Sequence, residues 1–310
     1  MPKFSVAEEI EINAAPERVY DVISDFGTWR TWSPWLCAEP EASVKVSSDS
    51  NSVGSSYAWD GQVVGAGEMT HQTLAPGKRI ESHLQFERPW KSTADISFDF
   101  QRVGDNTRVT WTMNSSLPWF MFWMKNTMVN VIGMDYERGL KMLKDHIETG
   151  TILSETKVRG VTSVGPMKMV GVRKQCGMDD IGSSMESAIS ETEDKLRTAS
   201  VPHEGMKIAV YHHFDMDKRI FDYTAGIMVH DPNAEVDGLT SWSMPESKAL
   251  AVEHHGSYDH LGNSWSAAYQ HVRYKKLKQN AKAGTFEIYR NEPHDTEPAD
   301  LITDIFLPLK

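Results

Sequence analysis

In the stretch GTFEIYRNEP, Gly284 to Pro293, a carboxylate and a phenol stand two residues apart in a run that reads as a β-strand. Alternate side chains of a strand share a face. Thr285, Glu287 and Tyr289 therefore point one way, and Phe286 and Ile288 the other. An acid in that position is either an ordinary solvated or cross-strand-paired group or an anion set among aromatic rings. In the second case it has two uses. A carboxylate walled by aromatics attracts a cation through its charge and through the ring faces. Partial burial also raises its pKa, which suits a general base or acid near neutral pH.

Other residue clusters suggest chemistry that their spacing does not support. YHHFD and EHHGSYDH hold adjacent histidines. Neighbours on a strand face opposite ways, so neither His212/His213 nor His254/His255 converges on one ion, and no cysteine partners them at zinc spacing. No metal site and no cofactor are expected. GAGEMT is an incomplete dinucleotide loop with no βαβ unit around it. The basic run RYKKLKQNAK lies at a helix end, where positive charge suits the dipole, and reads as a solvated face.

The elements that must position Glu287 occupy a chain of 310 residues, the length of two domains. The composition is that of a soluble globular protein. Formal net charge is −11, and both halves are acidic, which argues against direct nucleic-acid binding. Cys37 and Cys176 stand one in each half. That is no disulfide framework, and a reduced cytoplasm suits it. The N-terminus lacks a signal-type apolar core. Leu117 to Met134, LPWFMFWMKNTMVNVIGM, is the most membrane-like segment. Lys125, Asn126 and Asn130 interrupt it, so the reading is a core helix without stable membrane insertion, contact with a membrane surface being the alternative.

Before Gly150 the pattern runs strand (FSVAEEIEI), helix (AAPERVYDVISDF), a meander of five strand-like runs from SVGSSYAWDG to TRVTWTMNSSL, and a closing helix. In that helix Tyr136, Leu140, Leu143 and Ile147 share a face. INAAPERVYDVISDFGTWRTWSPW and GMDYERGLKMLKDHIE resemble the START/polyketide-cyclase-like (SRPBCC) superfamily over residues 1–150. The resemblance implies a helix-grip fold, a bent antiparallel sheet around a long C-terminal helix with an apolar cavity between them. Its members bind hydrophobic molecules, and some are cyclases or hydratases. Trp59, Trp111 and Trp123 are the ligand-lining candidates, with Trp119, Phe122 and Met124 behind them; the other reading of each is core filling. Glu68 is a polar-wall candidate that also reads as an exposed strand residue.

Residues 151–163 are polar and rich in Thr, Ser and Val, and read as a linker, or as an extended crossing that packs on a domain. From 164 to 310 the order strand–helix–strand–strand occurs twice at a period of about 75 residues, which implies two units about a pseudo-twofold axis with a groove between them. EHHGSYDHLGNSW, GTFEIYRNEPHDT and the closing TDIFLPL resemble the GyrI-like family, the effector-binding domain of some AraC-type and multidrug-sensing regulators. The resemblance implies a glutamate at the floor of an aromatic pocket that pairs with planar cations; here it is Glu287. In some stand-alone members the glutamate activates water for hydrolysis, with an aromatic hydroxyl assisting. Tyr289, Tyr223 and Trp265 are the neighbours it implies, Glu287 and Tyr289 being the catalytic pair if the protein is a hydrolase. No helix-turn-helix accompanies the domain in this sequence.

The fold expected is α+β, a helix-grip domain followed by a duplicated βαββ domain. The leading function is to bind, sense or sequester a hydrophobic or cationic small molecule. A hydrolase of electrophiles using Glu287 is the second reading, and a polyketide cyclase or lipid carrier working through the first domain is the third. Oligomeric state is open.

Overall fold

A computed structural model describes residues 3–310. The chain divides into two compact units, 1–152 and 153–310.

In the first unit, β1 (Lys3–Ile12) leads to α1 (Pro16–Ser24), whose first turn is set by Pro16, and to a short turn of helix, α2 (Trp29–Trp32). Six strands follow: β2 (Ser43–Val46), β3 (Ser56–Asp60), β4 (Ala66–Ala75), β5 (Arg79–Arg88), β6 (Ser92–Val103) and β7 (Asn106–Ser116). Among the described residues they form with β1 one antiparallel sheet, in the order β1-β7-β6-β5-β4-β3-β2. The five-strand meander read from the sequence is β3 to β7; β2, four residues and largely exposed, carried no comparable pattern.

The closing helix α3 (Lys125–Glu148) buries Tyr136, Leu140, Leu143 and Ile147, the face anticipated from helical spacing. Between it and the sheet lies an aromatic core. The Trp111 ring stacks on Tyr136 at 3.8 Å and on Phe98 at 4.9 Å, with the edges of Trp29, Trp32 and Trp35 around it. Gly139 on α3 makes this approach possible. A Cβ there would lie 2.9 Å from the Trp111 ring and 3.1 Å from Pro34. Gly139→Ala is expected to cost about 1–3 kcal/mol by overpacking. Chemical denaturation checks this, and an unchanged midpoint would mean the ring yields freely.

The second unit opens with β8 (Ser154–Val164), paired along its length with β13 (Ser247–Gly256). The segment read as a linker is therefore mostly an edge strand. Its polar composition suits an edge, where much of the strand faces water. Then come β9 (Met167–Gly177), α4 (Ile181–Ala199), β10 (His203–Asp215), β11 (Ile220–Val229) and β12 (Thr240–Met244). After β13 follow α5 (Leu261–Tyr274), β14 (Thr285–Tyr289) and β15 (Ile302–Pro308). Among the described residues the sheet order is β12-β9-β11-β10-β14-β15-β13-β8. Helix α4 packs on β9 and β11, and α5 on β13, β8 and β15. The two strands at the middle of the sheet, β10 and β14, lie between the helices.

Candidate functional site

β14 alternates as read. Phe286 is buried on one face with Ile208, Val210 and Phe306. Glu287 and Tyr289 are on the other, the face that carries α4 and α5.

The register locates the axis of the repeat. β10 and β14 are antiparallel, with Ala209 opposite Glu287. Aligning KIAVY with TFEIY superposes Ala209 on Glu287 and Tyr211 on Tyr289, a displacement of 78 residues. A pair that both faces itself across the strands and corresponds under the repeat marks the pseudo-twofold axis. The helices begin 80 residues apart, at Ile181 and Leu261, so Met185 corresponds to Trp265. The period is thus 78–80 residues, slightly longer than the sequence pattern suggested.

At the axis Glu287 is wholly buried, with 0% of its surface exposed. Its Oε2 accepts hydrogen bonds from Tyr211 at 3.1 Å and from Tyr289 at 2.6 Å, the two symmetry-related phenols. Its Oε1 accepts one from the Trp265 indole N–H. The Tyr289 hydroxyl is also 2.8 Å from Met185 Sδ. A phenol has one proton, and the charged oxygen takes it in preference to a thioether. Rings complete the enclosure. Tyr258 meets Tyr289 edge-on at 5.7 Å, Trp265 meets Tyr211 edge-on at 5.4 Å, and Phe221 leans on Tyr211.

The electrostatics follow from burial among neutral donors. Desolvation raises the Glu287 pKa, and the hydrogen bonds from Tyr289, Trp265 and Tyr211 offset this only in part. Burial, and then the Glu287 charge, push Tyr211 and Tyr289 well above the ordinary phenol range, so both remain donors. Tyr258 is pushed up to about 12 by burial and the same charge.

Of the residues singled out in the second domain, Glu287, Tyr289 and Trp265 meet directly. Tyr223 flanks them, packed beside Tyr211, with its hydroxyl on Ser184 at 2.7 Å. Tyr211, Tyr258 and Met185 were missed. The signal for Tyr211 was present, since it is the repeat partner of Tyr289. His254 is buried with Nδ1 3.0 Å from Ser264 Oγ, tying β13 to α5. His255 points away, to Glu253.

The three tryptophans read as ligand-lining in the first domain, Trp59, Trp111 and Trp123, do not share a wall. Trp111 is packed on both ring faces and is core. Trp59 lies at the rim of that core, edge-on to Phe86. Trp123 is 70% exposed, in a 3₁₀ turn (Trp119–Met124) that precedes α3, with Trp119 and Phe122 exposed beside it. The reading of Leu117–Met134 as one core helix is corrected accordingly. Proline at 118 and the 3₁₀ turn delay the helix to Lys125, and four bulky rings face outward. Glu68 is exposed on β4.

Comparison with known proteins agrees with this division. Residues 3–148 match the polyketide cyclase / dehydrase and lipid transport family, and residues 161–310 match the GyrI-like small molecule binding domain. A search of curated proteins returned no match. Among solved structures, the Aha1 dimer from Colwellia psychrerythraea is 20% identical, with 48% of this chain and 99% of that chain covered at a TM-score of 0.37. CalU16 from Micromonospora echinospora is 15% identical, covering 47% and 77% at 0.34. EcmrR, in a DNA complex, is 15% identical, covering 59% and 68% at 0.42. No helix among the described residues is long and apolar enough to cross a membrane. The chain joins a domain of the polyketide cyclase / dehydrase and lipid transport family to a GyrI-like small molecule binding domain.

Proposed function

We propose that the second domain binds a small amphipathic or planar molecule carrying one positive charge, and that Glu287 is its counter-ion. The observation that carries this reading is a fully buried carboxylate whose hydrogen-bond donors are all neutral. Such a group is costly to ionise without a partner, and a cation that enters among the rings supplies one. The closed arrangement sets the route. The Trp265 indole N–H occupies Oε1, so a ligand reaches the carboxylate by displacing that indole while the two phenols keep Oε2.

Ionisation is then linked to binding. Below its raised pKa, free Glu287 is protonated, and a bound cation ionises it and releases the proton. Affinity is expected to rise with pH up to that pKa and then level off. Titration calorimetry with a cationic aromatic dye, in buffers of different ionisation enthalpy, measures the proton released. Binding with no proton exchange at any pH from 4 upward would remove Glu287 as the counter-ion.

The hydrolase reading draws on the same groups, with Glu287 as base and Tyr289, at 2.6 Å, as its proton-sharing partner. Turnover of an electrophilic ester or epoxide that disappears in Glu287→Gln would support it. The cyclase or lipid-carrier reading rested on tryptophans lining a cavity in the first domain, and the packing of Trp111 and exposure of Trp123 do not favour it.

A further inference from the structure

The 3₁₀ turn before α3 holds the densest exposed aromatic patch of the described chain. Trp119, Phe120, Phe122 and Trp123 are 76, 60, 65 and 70% exposed. The backbone beneath them is not loose. Leu117 is buried with Phe4 and Val6 of β1, and Met121, Met128 and Ile132 pack onto the same cluster. The segment is thus anchored by its inward aliphatic side chains and holds its rings outward.

A second aromatic tip lies at the same end of the sheet. Lys3 of β1 faces Ser116 at the end of β7, Ala94 of β6 faces Ser115, and Phe86 of β5 faces Ser92. The β5–β6 turn, with Trp90 exposed at its tip, therefore emerges beside the start of the 3₁₀ turn. Lysines frame both tips: Lys3, Lys91 and Lys125 are all exposed, Lys91 lying 3.5 Å from Glu87. Between Leu117 and Met134 there is no carboxylate, although the chain as a whole carries −11.

We infer that this end of the first domain is an anchor for the surface of a phospholipid bilayer, with the aromatic rings in the headgroup–acyl boundary and the lysines at headgroup level. Tryptophan and phenylalanine bordered by lysine, on a body with no spanning segment, fit that boundary. The charge favours lipid over a second copy of the chain. A copy would bring the same lysines to the patch, whereas anionic headgroups complement them. Insertion into lipid needs no matching face.

Co-sedimentation with phosphatidylcholine vesicles, with and without phosphatidylglycerol, tests the inference on the full chain. The wild type is expected to pellet with both, more with the anionic mixture. The triple substitution Trp119→Ser, Phe122→Ser, Trp123→Ser should lower partitioning at least about tenfold, with its thermal melt unchanged. As a check that needs no variant, brominated lipid should quench the wild-type tryptophan fluorescence. Absence of wild-type binding and quenching would overturn the anchor, as would binding that the triple substitution leaves intact. Dimerisation in lipid-free buffer that the same substitution abolishes would overturn it too, and would give the face to a second copy.

Discussion

Glu287→Gln is expected to weaken a cationic aromatic ligand by about a hundredfold or more, the scale seen when one partner of a buried charge pair is neutralised. A neutral ligand of the same shape should lose little. The substitution keeps size and hydrogen-bonding capacity. The amide oxygen can accept from Trp265, and the phenols can rotate to accept from the amide nitrogen. The free protein should gain from the change, and the size of the gain depends on pH. With a pKa raised on folding, the wild-type acid costs nothing below the ordinary carboxylate range. The burial penalty enters as pH rises through the folded-state pKa. The variant lacks that penalty, so its melting temperature should exceed the wild type's increasingly towards neutral pH. Dye titrations and paired melts between pH 4 and 8 measure both effects. Equal dye affinity in the two proteins would end the counter-ion reading.

Trp111→Ala should cost about 3–5 kcal/mol. The ring is sandwiched between Tyr136 and Phe98 and bordered by three further tryptophans, so its removal leaves a void lined by rigid rings that cannot collapse to fill it. A tryptophan lining an open cavity would behave differently. Its loss would enlarge space already present and cost little. Urea denaturation therefore separates the two roles directly. A loss below about 1 kcal/mol, far from the range for an aromatic in a filled core, would restore Trp111 as a cavity wall.

The architecture was legible where a short period sufficed. Strand alternation put Glu287 with Tyr289, and helical spacing found Tyr136, Leu140, Leu143 and Ile147. What failed depended on contacts distant in sequence or on polarity that misleads. Tyr211 reaches Glu287 from 76 positions away and Met185 reaches Tyr289 from 104, through strand register and helix placement that no local pattern encodes. β8 is polar because it is an edge strand, and by composition it looked like a linker. Apolar residues are equally ambiguous. Trp111 and Trp123 are the same residue in the same half, and hydrophobicity alone does not separate a ring stacked on both faces from one held in water.

The position of Glu287 on the axis of the repeat has a consequence for symmetry. Whatever residue sits there faces its own counterpart across β10 and β14, at about 5 Å between backbones. A homodimer of a single βαββ unit would have to put the same side chain on both sides. Two glutamates would repel and share one proton; two alanines would leave no charge at all. A lone buried acid at that point requires two units of different sequence, as the two halves of this domain are. Ala209 opposite Glu287 is where the two halves differ, and that difference leaves a single carboxylate on the axis.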